Sequence, residues 1–222
     1  MQTGRRQFVA TALAGAAGAA LVVAHRDAIA QATARAPVQG TDFKPVKPQQ
    51  PTDAPTGRIE VVEFFWYGCP HCYALEPSLA DWTRRLPPDV QFRKVHVPFQ
   101  EPKHQQLYYA LESLGKTPAI NPAVFRAIHA DRNRLDTPDL MVAFAEKNGI
   151  DKKSFIDAFN SFGVQTKMKR ATQLSDGYGV DGVPAFGVAG RWYTAPSMAG
   201  SNEAALRVVD LLVERERKAP RS

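Results

Sequence analysis

The chain has 222 residues, of which 44% are hydrophobic, so it is long enough and apolar enough to bury one core of moderate size. Its formal net charge is +6, a mild excess that is spread along the chain. No basic stripe is interleaved with aromatic residues, which argues against nucleic acid as a partner. The sequence contains 2 cysteines, so it is not a domain held together by a set of structural disulfides.

The N-terminal segment has the pattern of a targeting signal. Arg5 and Arg6 form a charged region, residues 8–24 are apolar but built mainly of alanine and glycine, and a small-x-small pattern ends at Ala30. We predict a signal peptide over residues 1–30, cleaved near Ala30, and a periplasmic location for the mature protein. The paired arginines and the weakly hydrophobic run favour the twin-arginine route, with a general secretory signal as the alternative.

A polar segment and an apolar strand follow the signal. Residues 31–57 are rich in proline, glutamine, threonine and alanine, and they predict a flexible leader with one short edge strand near Phe43. The run 59–66 is almost continuously apolar, which is typical of a central strand buried on both faces. Glu63 stands out within it, because a buried carboxylate is costly unless it is paired or neutralised.

A turn and a helix N-terminus come directly after this strand. The apolar run stops at Gly68, Cys69 comes next, and Pro70 favours the first turn of a helix. Unpaired N–H groups and the positive end of the helix dipole stabilise a thiolate at Cys69. Cys72, one turn further on, can close a disulfide with it.

The position of this cysteine pair favours redox chemistry over two other interpretations. A structural disulfide between residues so close in sequence would close a tiny loop and stabilise little. A zinc site needs about four ligands, and the missing ones would have to come from scattered histidines.

The rest of the chain predicts a mixed order of helices and strands. A helix runs over about 70–86, and residues 90–99 alternate in the manner of the next strand. Five helical patterns follow within residues 103–179, and none is long enough to fold alone, so we expect them to pack as one subdomain. Residues 184–194 form a hairpin, and Ser201 caps a last amphipathic helix.

Residues 63–65 and 69–73, Glu-Phe-Phe and Cys-Pro-His-Cys-Tyr, resemble the active-site segment of the DsbA family, the thiol:disulfide oxidants of the bacterial periplasm. The resemblance extends over most of the chain after the leader. It implies an α/β architecture, a thioredoxin fold with an inserted helical domain. In that architecture residues 58–102 and 180–222 form the thioredoxin-like domain, and residues 103–179 form the helical insertion.

The same resemblance assigns roles to the four residues of the tetrad. Cys69 and Cys72 form the redox-active disulfide, with Cys69 as the sulfur that attacks and is attacked. Pro70 and His71 form the dipeptide that sets redox poise in this family. An imidazolium or imidazole N–H of His71 near Cys69 would stabilise the thiolate further, and the alternative is an exposed histidine of no consequence.

A buried acid and a lysine of the DsbA pattern match Glu63 and Lys94. Lys94 belongs to the neighbouring predicted strand, and we expect it to face Glu63 beneath the cysteines, where the pair would transfer a proton to or from Cys72. Glu76 is a third candidate for this role. The alternative is that Glu63 reaches solvent at a sheet edge.

The loop that precedes the hairpin resembles the cis-proline loop of thioredoxin-like proteins. It comprises residues 182–185, and the resemblance implies a cis peptide bond between Val183 and Pro184 that packs against the disulfide. The backbone of Val183 would then pair with an extended substrate chain. Such pairing recognises the main chain of the substrate and not its sequence. Three histidines have no partner that the sequence indicates, and we expect them to be structural or solvated: His96, His104 and His129.

These features predict a periplasmic thiol:disulfide oxidoreductase that donates a disulfide to unfolded exported proteins with free thiols. It would need no cofactor and act as a monomer, and the family implies reoxidation by a DsbB-like membrane quinone reductase. A disulfide isomerase or reductase of the same compartment is the alternative, although residues 31–57 are too short and polar for the dimerisation domain of such isomerases. A metal-binding module built on Cys69, Cys72 and His71, and a holdase chaperone, are further hypotheses.

Overall fold

A computed structural model describes residues 35–99 and 102–219 of the protein. The predicted signal peptide, residues 1–30, lies outside the described residues. The described chain forms a five-stranded mixed sheet with the strand order β1-β5-β4-β2-β3. The strands are β1 Lys44–Pro45, β2 Ile59–Phe65, β3 Val90–His96, β4 Ala185–Val188 and β5 Trp192–Thr194.

Strand β2 is central, as its apolar sequence predicts. It pairs in parallel with β3 and antiparallel with β4, so it has a hydrogen-bonded neighbour on each side. The short edge strand expected near Phe43 is β1, which runs antiparallel to β5 with Lys44 opposite Tyr193. The hairpin of β4 and β5 is confirmed, with Gly187 opposite Tyr193.

Helices cover both faces of the sheet. They are α1 Pro70–Thr83, α2 Pro102–Ser113, α3 Thr117–His129, α4 Pro138–Lys147, α5 Lys152–Phe159, α6 Phe162–Tyr178, α7 Pro196–Ala199 and α8 Asn202–Lys218. The capping prediction for Ser201 is confirmed, because its side chain accepts a backbone hydrogen bond at the start of α8, and Asp151 does the same at the start of α5. Helix α1 ends at Thr83, earlier than the predicted Leu86, with a turn before the proline pair at 87–88.

The core has two parts, and β2 contributes to each. Val61 packs with Leu79 of α1 and Leu212 of α8 on one side of the sheet. Val62 and Phe64 pack on the other side with the helices that follow β3. This arrangement is a thioredoxin fold with an inserted helical domain, as the sequence predicts. It explains why the β2 sequence lacks an alternating pattern, since both of its faces meet apolar side chains.

The leader is predicted to be flexible, but between residues 42 and 53 it is packed against the rest of the domain. Phe43 is 3% exposed, and its ring centroid lies 5.7 Å from that of Trp192. The N–H of Gln50 donates a 2.8 Å hydrogen bond to the carbonyl oxygen of Gly190. The approach is so close that a Cβ at Gly190 would lie 2.0 Å from the carbonyl oxygen of Gln50. A composition-based prediction could not detect these contacts, because they are made by backbone groups and one aromatic ring.

We expect Phe43→Ala to lower the free energy of unfolding by about 3 kcal/mol, because it removes a buried ring from the α8 side of the core. Chemical denaturation at neutral pH measures the loss. Val38→Ala is the control, since Val38 is exposed and its removal should change stability by less than about 0.5 kcal/mol. Equal stabilities of the two variants would show that the segment does not contribute to the core.

Candidate active site

The two cysteines lie where β2 turns into α1. Cys69 is the N-cap residue of α1 with extended backbone angles, and Pro70 occupies the first helical position. Gly68 is required in this turn, because a Cβ there would lie 2.3 Å from the ring of Trp66. Both sulfur-bearing residues are free thiols and both are buried, Cys72 more completely than Cys69. The sequence therefore predicted the local geometry of strand, turn and helix correctly.

The two thiols have opposite electrostatic environments. A hydrogen bond from the Cys72 thiol, backbone N–H groups of Cys72 and His71, and the charge of His71 together lower the pKa of Cys69 to about 6, against the effect of burial. Burial, the hydrogen bond to Cys69 and the nearby charge of Glu63 raise the pKa of Cys72 far above its ordinary value. At neutral pH, Cys69 is thus the thiolate of the pair and Cys72 keeps its proton.

The dipeptide between the cysteines is exposed to solvent. Pro70 and His71 both lie at the surface of the first turn of α1. Because proline has no backbone N–H, this position adds no unpaired donor to the first turn. The charge of His71 is the smallest of the effects that lower the pKa of Cys69, and its role in setting the redox potential stays a prediction.

Three charged side chains lie together beneath the cysteines. Glu63 of β2 is directly opposite Lys94 of β3 in the strand register, and the Nζ atom of Lys94 lies 3.0 Å from Oε2 of Glu63. Glu76 of α1 contacts the same Nζ atom through Oε1. We call Glu63, Lys94 and Glu76 the acid network. The alternative in which Glu63 reaches solvent at a sheet edge is wrong, because β2 is the interior strand and Glu63 is 0% exposed.

Glu63 holds its proton more tightly than an ordinary glutamate. Burial, opposed by the charge of Lys94 and helped by the charges of Glu76 and Cys69, raises its pKa to about 7. The contact between Nζ of Lys94 and Oε2 of Glu63 opposes this rise both as an ion pair and as a hydrogen bond, but it does not outweigh burial. Burial lowers the pKa of Lys94, but its two carboxylate neighbours outweigh burial and the net pKa is raised.

The loop before β4 closes the site on the side facing Cys69. The Val183–Pro184 peptide bond is cis, as the resemblance implied. The Sγ atom of Cys69 lies 3.4 Å from the carbonyl oxygen of Val183, within hydrogen-bond distance of a thiol. A second cis bond, Lys47–Pro48, was not expected from the sequence.

Three histidines that the sequence left without partners surround the segment that precedes Cys69. The Nε2 atom of His96 accepts a 3.1 Å hydrogen bond from the N–H of Tyr67, and Nε2 of His129 lies 2.8 Å from the carbonyl oxygen of the same residue. The ring of His104 lies 6.3 Å from that of Trp66. Burial and the charge of His104 hold the pKa of His96 well below its usual range, so it is neutral. His96 and His129 are structural, because they hold the backbone of the segment that leads to Cys69, whereas Nε2 of His104 lies 2.8 Å from the carbonyl oxygen of Arg134.

Within residues 35–99 and 102–219, no group of three His, Cys, Asp or Glu side chains is arranged to hold a metal ion. None of the helices in this part of the chain combines the length and the hydrophobicity needed to cross a membrane.

A thioredoxin sheet with a Cys-x-x-Cys pair at a helix N-terminus and a cis-proline loop beside it defines the class, a thioredoxin-fold thiol:disulfide oxidoreductase. Comparison with known proteins narrows the class. The chain matches the DSBA-like thioredoxin domain family over residues 102–205. The thiol:disulfide interchange protein DsbA of Burkholderia cepacia is 42% identical over 188 residues, which cover 84% of this chain and 89% of the relative. The protein of the same name from Bordetella parapertussis is 45% identical over 176 residues, covering 78% and 83%.

Solved structures agree with the sequence relatives. A crystal structure of Pseudomonas aeruginosa DsbA has a TM-score of 0.78 and 39% identity, covering 82% of this chain and 95% of that chain. The oxidoreductase DsbA from Xylella fastidiosa has a TM-score of 0.77 and 32% identity, covering 83% and 100%. The chain belongs to the DsbA family of thiol:disulfide interchange proteins, and it is a protein thiol:disulfide oxidoreductase.

We expect Cys72→Ala to raise the pKa of Cys69 by one to two units from its value of about 6, because the hydrogen bond from the Cys72 thiol is the largest stabilising contact of the thiolate. The ultraviolet absorbance of the thiolate, followed as a function of pH, measures the shift. Cys69→Ala is the control and should remove the low titration entirely. A titration of Cys72→Ala that still centres on 6 would mean that the helix N-terminus alone sets the pKa.

Neutralising either of the two buried acids of β2 should change the stability of the protein, but in opposite directions. The folded pKa of Glu63 exceeds its unfolded value of 4.5, so its contribution to stability is present below pH 4.5 and is lost as pH rises through about 7. Glu63→Gln should therefore stabilise the reduced protein by about 3 kcal/mol at pH 8 and by little at pH 4. Denaturation curves at both pH values test this.

The matched control is Glu60→Gln in the same strand. Glu60 is also buried, but its carboxylate accepts hydrogen bonds from Arg93 at 2.8 Å and from the N–H of Asp53 at 2.8 Å. We expect this variant to lose about 2 kcal/mol at pH 8, because it leaves Arg93 without its buried partner. If both variants lose stability at pH 8, the charge of Glu63 is not a cost to the fold.

Proposed function

We propose that this protein is a periplasmic oxidase that donates the Cys69–Cys72 disulfide to exported proteins with free thiols. The observation that carries the proposal is the placement of the two thiols: Cys69 is the N-cap residue of α1 and Cys72 is fully buried inside its first turn, which shifts their pKa values in opposite directions. A sulfur that is stable as a thiolate is a good leaving group, so a disulfide that contains it is readily transferred. Each unit by which the pKa of Cys69 falls below ambient pH stabilises the reduced form by about 1.4 kcal/mol, or about 30 mV.

The reaction we propose has two exchange steps. A substrate thiolate attacks Sγ of Cys69, the bond between Cys69 and Cys72 breaks, and a mixed disulfide forms between Cys69 and the substrate. The sulfur of Cys72 leaves with the electron pair and takes up a proton, because its thiol form is strongly favoured. A second substrate thiolate attacks the substrate sulfur of the mixed disulfide and releases Cys69 as a thiolate. The substrate loses two electrons, and the cysteine pair gains them.

Glu63 supplies the proton to Cys72 in this proposal. Its charge acts on Cys72, and its own pKa of about 7 means that roughly half of it is protonated at neutral pH. Lys94 and Glu76 then mediate the return of a proton from solvent, since both line a cavity between α1, α2, α3 and β3. A buried acid close to the leaving sulfur is the arrangement that such a transfer needs.

We further propose that Val183 and Pro184 bind the substrate chain. The loop lies beside Cys69, and its main chain offers an edge to which an extended segment can add as a strand. Recognition through the main chain suits an enzyme that must act on many unfolded proteins. For the same reason the substrate would be recognised only weakly by its side chains.

The site of action follows from the N-terminal signal and from the chemistry. We propose that residues 1–30 direct export by the twin-arginine route and are removed near Ala30, and that residues 31–57 lead into the thioredoxin-like domain of 58–102 and 180–222 around the insertion of 103–179. The reduced pair would be reoxidised by a DsbB-like membrane quinone reductase, with the protein acting as a monomer. A disulfide isomerase or reductase of the same compartment is the second candidate.

The equilibrium of the cysteine pair with a glutathione redox buffer at pH 7 tests the proposal. We expect a reduction potential clearly less negative than that of thioredoxin, about −270 mV, because Cys69 is stabilised as a thiolate. His71→Ser should move the potential toward thioredoxin by about 30 mV for each unit that the pKa of Cys69 rises. Cys69→Ala is the inactive control in an assay of disulfide formation in a reduced, unfolded protein.

Any of three results would contradict the oxidase proposal. A potential at or below the thioredoxin value would favour the reductase. Rapid rearrangement of scrambled disulfides, with slow oxidation of reduced thiols, would favour the isomerase. Oxidation that persists in Cys69→Ala would exclude this cysteine as the reacting sulfur.

A further inference from the structure

One buried amide connects the helical insertion to the acid network. Asn121 of α3 is 7% exposed, and its Oδ1 atom accepts a 2.6 Å hydrogen bond from the hydroxyl of the fully buried Tyr67. Its Nδ2 atom donates a 3.4 Å hydrogen bond to Oε2 of Glu76. The Oδ1 atom of the amide is thus bonded to the segment that leads to Cys69, and its Nδ2 atom is bonded to α1.

Glu76 has little else to hold it beside Lys94. Its side chain is 20% exposed, and it lines a cavity of about 490 Å³ into which the carboxylate could turn and be hydrated. A partly exposed ion pair holds a flexible side chain weakly, because water and other rotamers compete with it. The hydrogen bond from Asn121 fixes the second oxygen of the carboxylate and opposes that rotation.

We propose that Asn121 is a positioning residue of the exchange reaction: it holds Glu76 against Lys94, so that Lys94 is shared between two carboxylates and Glu63 keeps the proton that it passes to Cys72. This inference rests on the role proposed above for Glu63. When Glu76 turns away, the negative charge that disfavours ionisation of Glu63 is lost, while Lys94 still favours it. This loss lowers the pKa of Glu63 and shifts the acid toward its ionised form at neutral pH.

The titratable groups that face Glu63 come from three elements. They are Lys94 of β3, Glu76, Cys69 and Cys72 of α1, and Tyr108 of α2. Tyr108 is neutral, because burial raises its pKa well above its usual value. Strand β4 places Phe186 opposite Glu63 and adds no charge. Arg93 and Glu112 line the same cavity, but each has an ion-pair partner outside the acid network.

An infrared titration of the buried carboxylic acid tests the proposal directly in the reduced, full-length protein. The signal of Glu63 is identified by its absence in Glu63→Gln. Asn121→Leu keeps a side chain of similar size and removes both hydrogen bonds, so the titration midpoint of Glu63 should fall by about one pH unit, a tenfold change in the ratio of protonated to ionised acid. The pH profile for reduction of the Cys69–Cys72 disulfide by a small thiol should move by the same amount.

Two further variants complete the experiment. Tyr67→Phe releases only one end of the amide and should give a smaller shift in the same direction, so it carries the test if Asn121→Leu does not fold. Gln105→Leu is the matched control, because Gln105 is another buried amide of the insertion and donates a 2.8 Å hydrogen bond to the carbonyl oxygen of His96. It should lower stability without moving the Glu63 titration.

The outcomes separate this inference from the proposed function. If Asn121→Leu and Tyr67→Phe both titrate as the unsubstituted protein does, Asn121 does not position the network and the inference is overturned, while the role of Glu63 is untouched. An equal shift in Gln105→Leu would overturn it as well, since any loss of packing would then suffice. If Glu63→Gln leaves the pH profile of exchange unchanged, the proposed proton transfer fails, and this inference fails with it.

Discussion

The site depends on a buried carboxylic acid, Glu63, whose ionisation is unfavourable at its position in the sheet. Glu63 lies in the middle of the interior strand, opposite Lys94 on one neighbouring strand and Phe186 on the other, and it is 0% exposed. Ionising such a group takes a charge out of water with one ion-pair partner to offset the loss. This free-energy cost arises at a position beneath the cysteines, where a proton has to move when the disulfide opens.

The two thiols show how a helix terminus can give chemically identical side chains different ionisation behaviour. Cys69 stands before the first turn, where N–H groups are free to stabilise a negative sulfur, whereas Cys72 lies inside the turn and is fully buried. Each thiol reinforces the difference, since the Cys72 proton stabilises the Cys69 thiolate and that thiolate discourages ionisation of Cys72. One helical turn therefore supplies both a good leaving group and a proton acceptor.

Much of this arrangement could be predicted from the sequence, because it is local or follows from strand order. The strand, the glycine turn and the cysteine pair are contiguous, and the match of Glu63 with Lys94 needs only two adjacent parallel strands in register. The cis bond at Pro184 required the resemblance as well, since cis proline is otherwise uncommon.

The features that sequence reasoning missed are side-chain contacts between distant parts of the chain. The hydrogen bond between Tyr67 and Asn121 joins residues 54 positions apart, and that between Tyr67 and His129 joins residues 62 apart. Neither hydrophobic periodicity nor a short motif marks such a pair. The short edge strand near Phe43 was predicted, but the contacts that pack this stretch were missed for a related reason, because its partners lie on the hairpin near the other end of the chain.

These distant contacts give the helical insertion a role in the chemistry. Its helix α3 supplies His129 to the turn that carries Cys69 and Asn121 to the carboxylate that shares Lys94. A thioredoxin sheet with α1 alone would leave that carboxylate held by Lys94 only and the turn held by His96 only. The insertion is thus part of the electrostatic environment of the cysteine pair as well as a cover for the sheet.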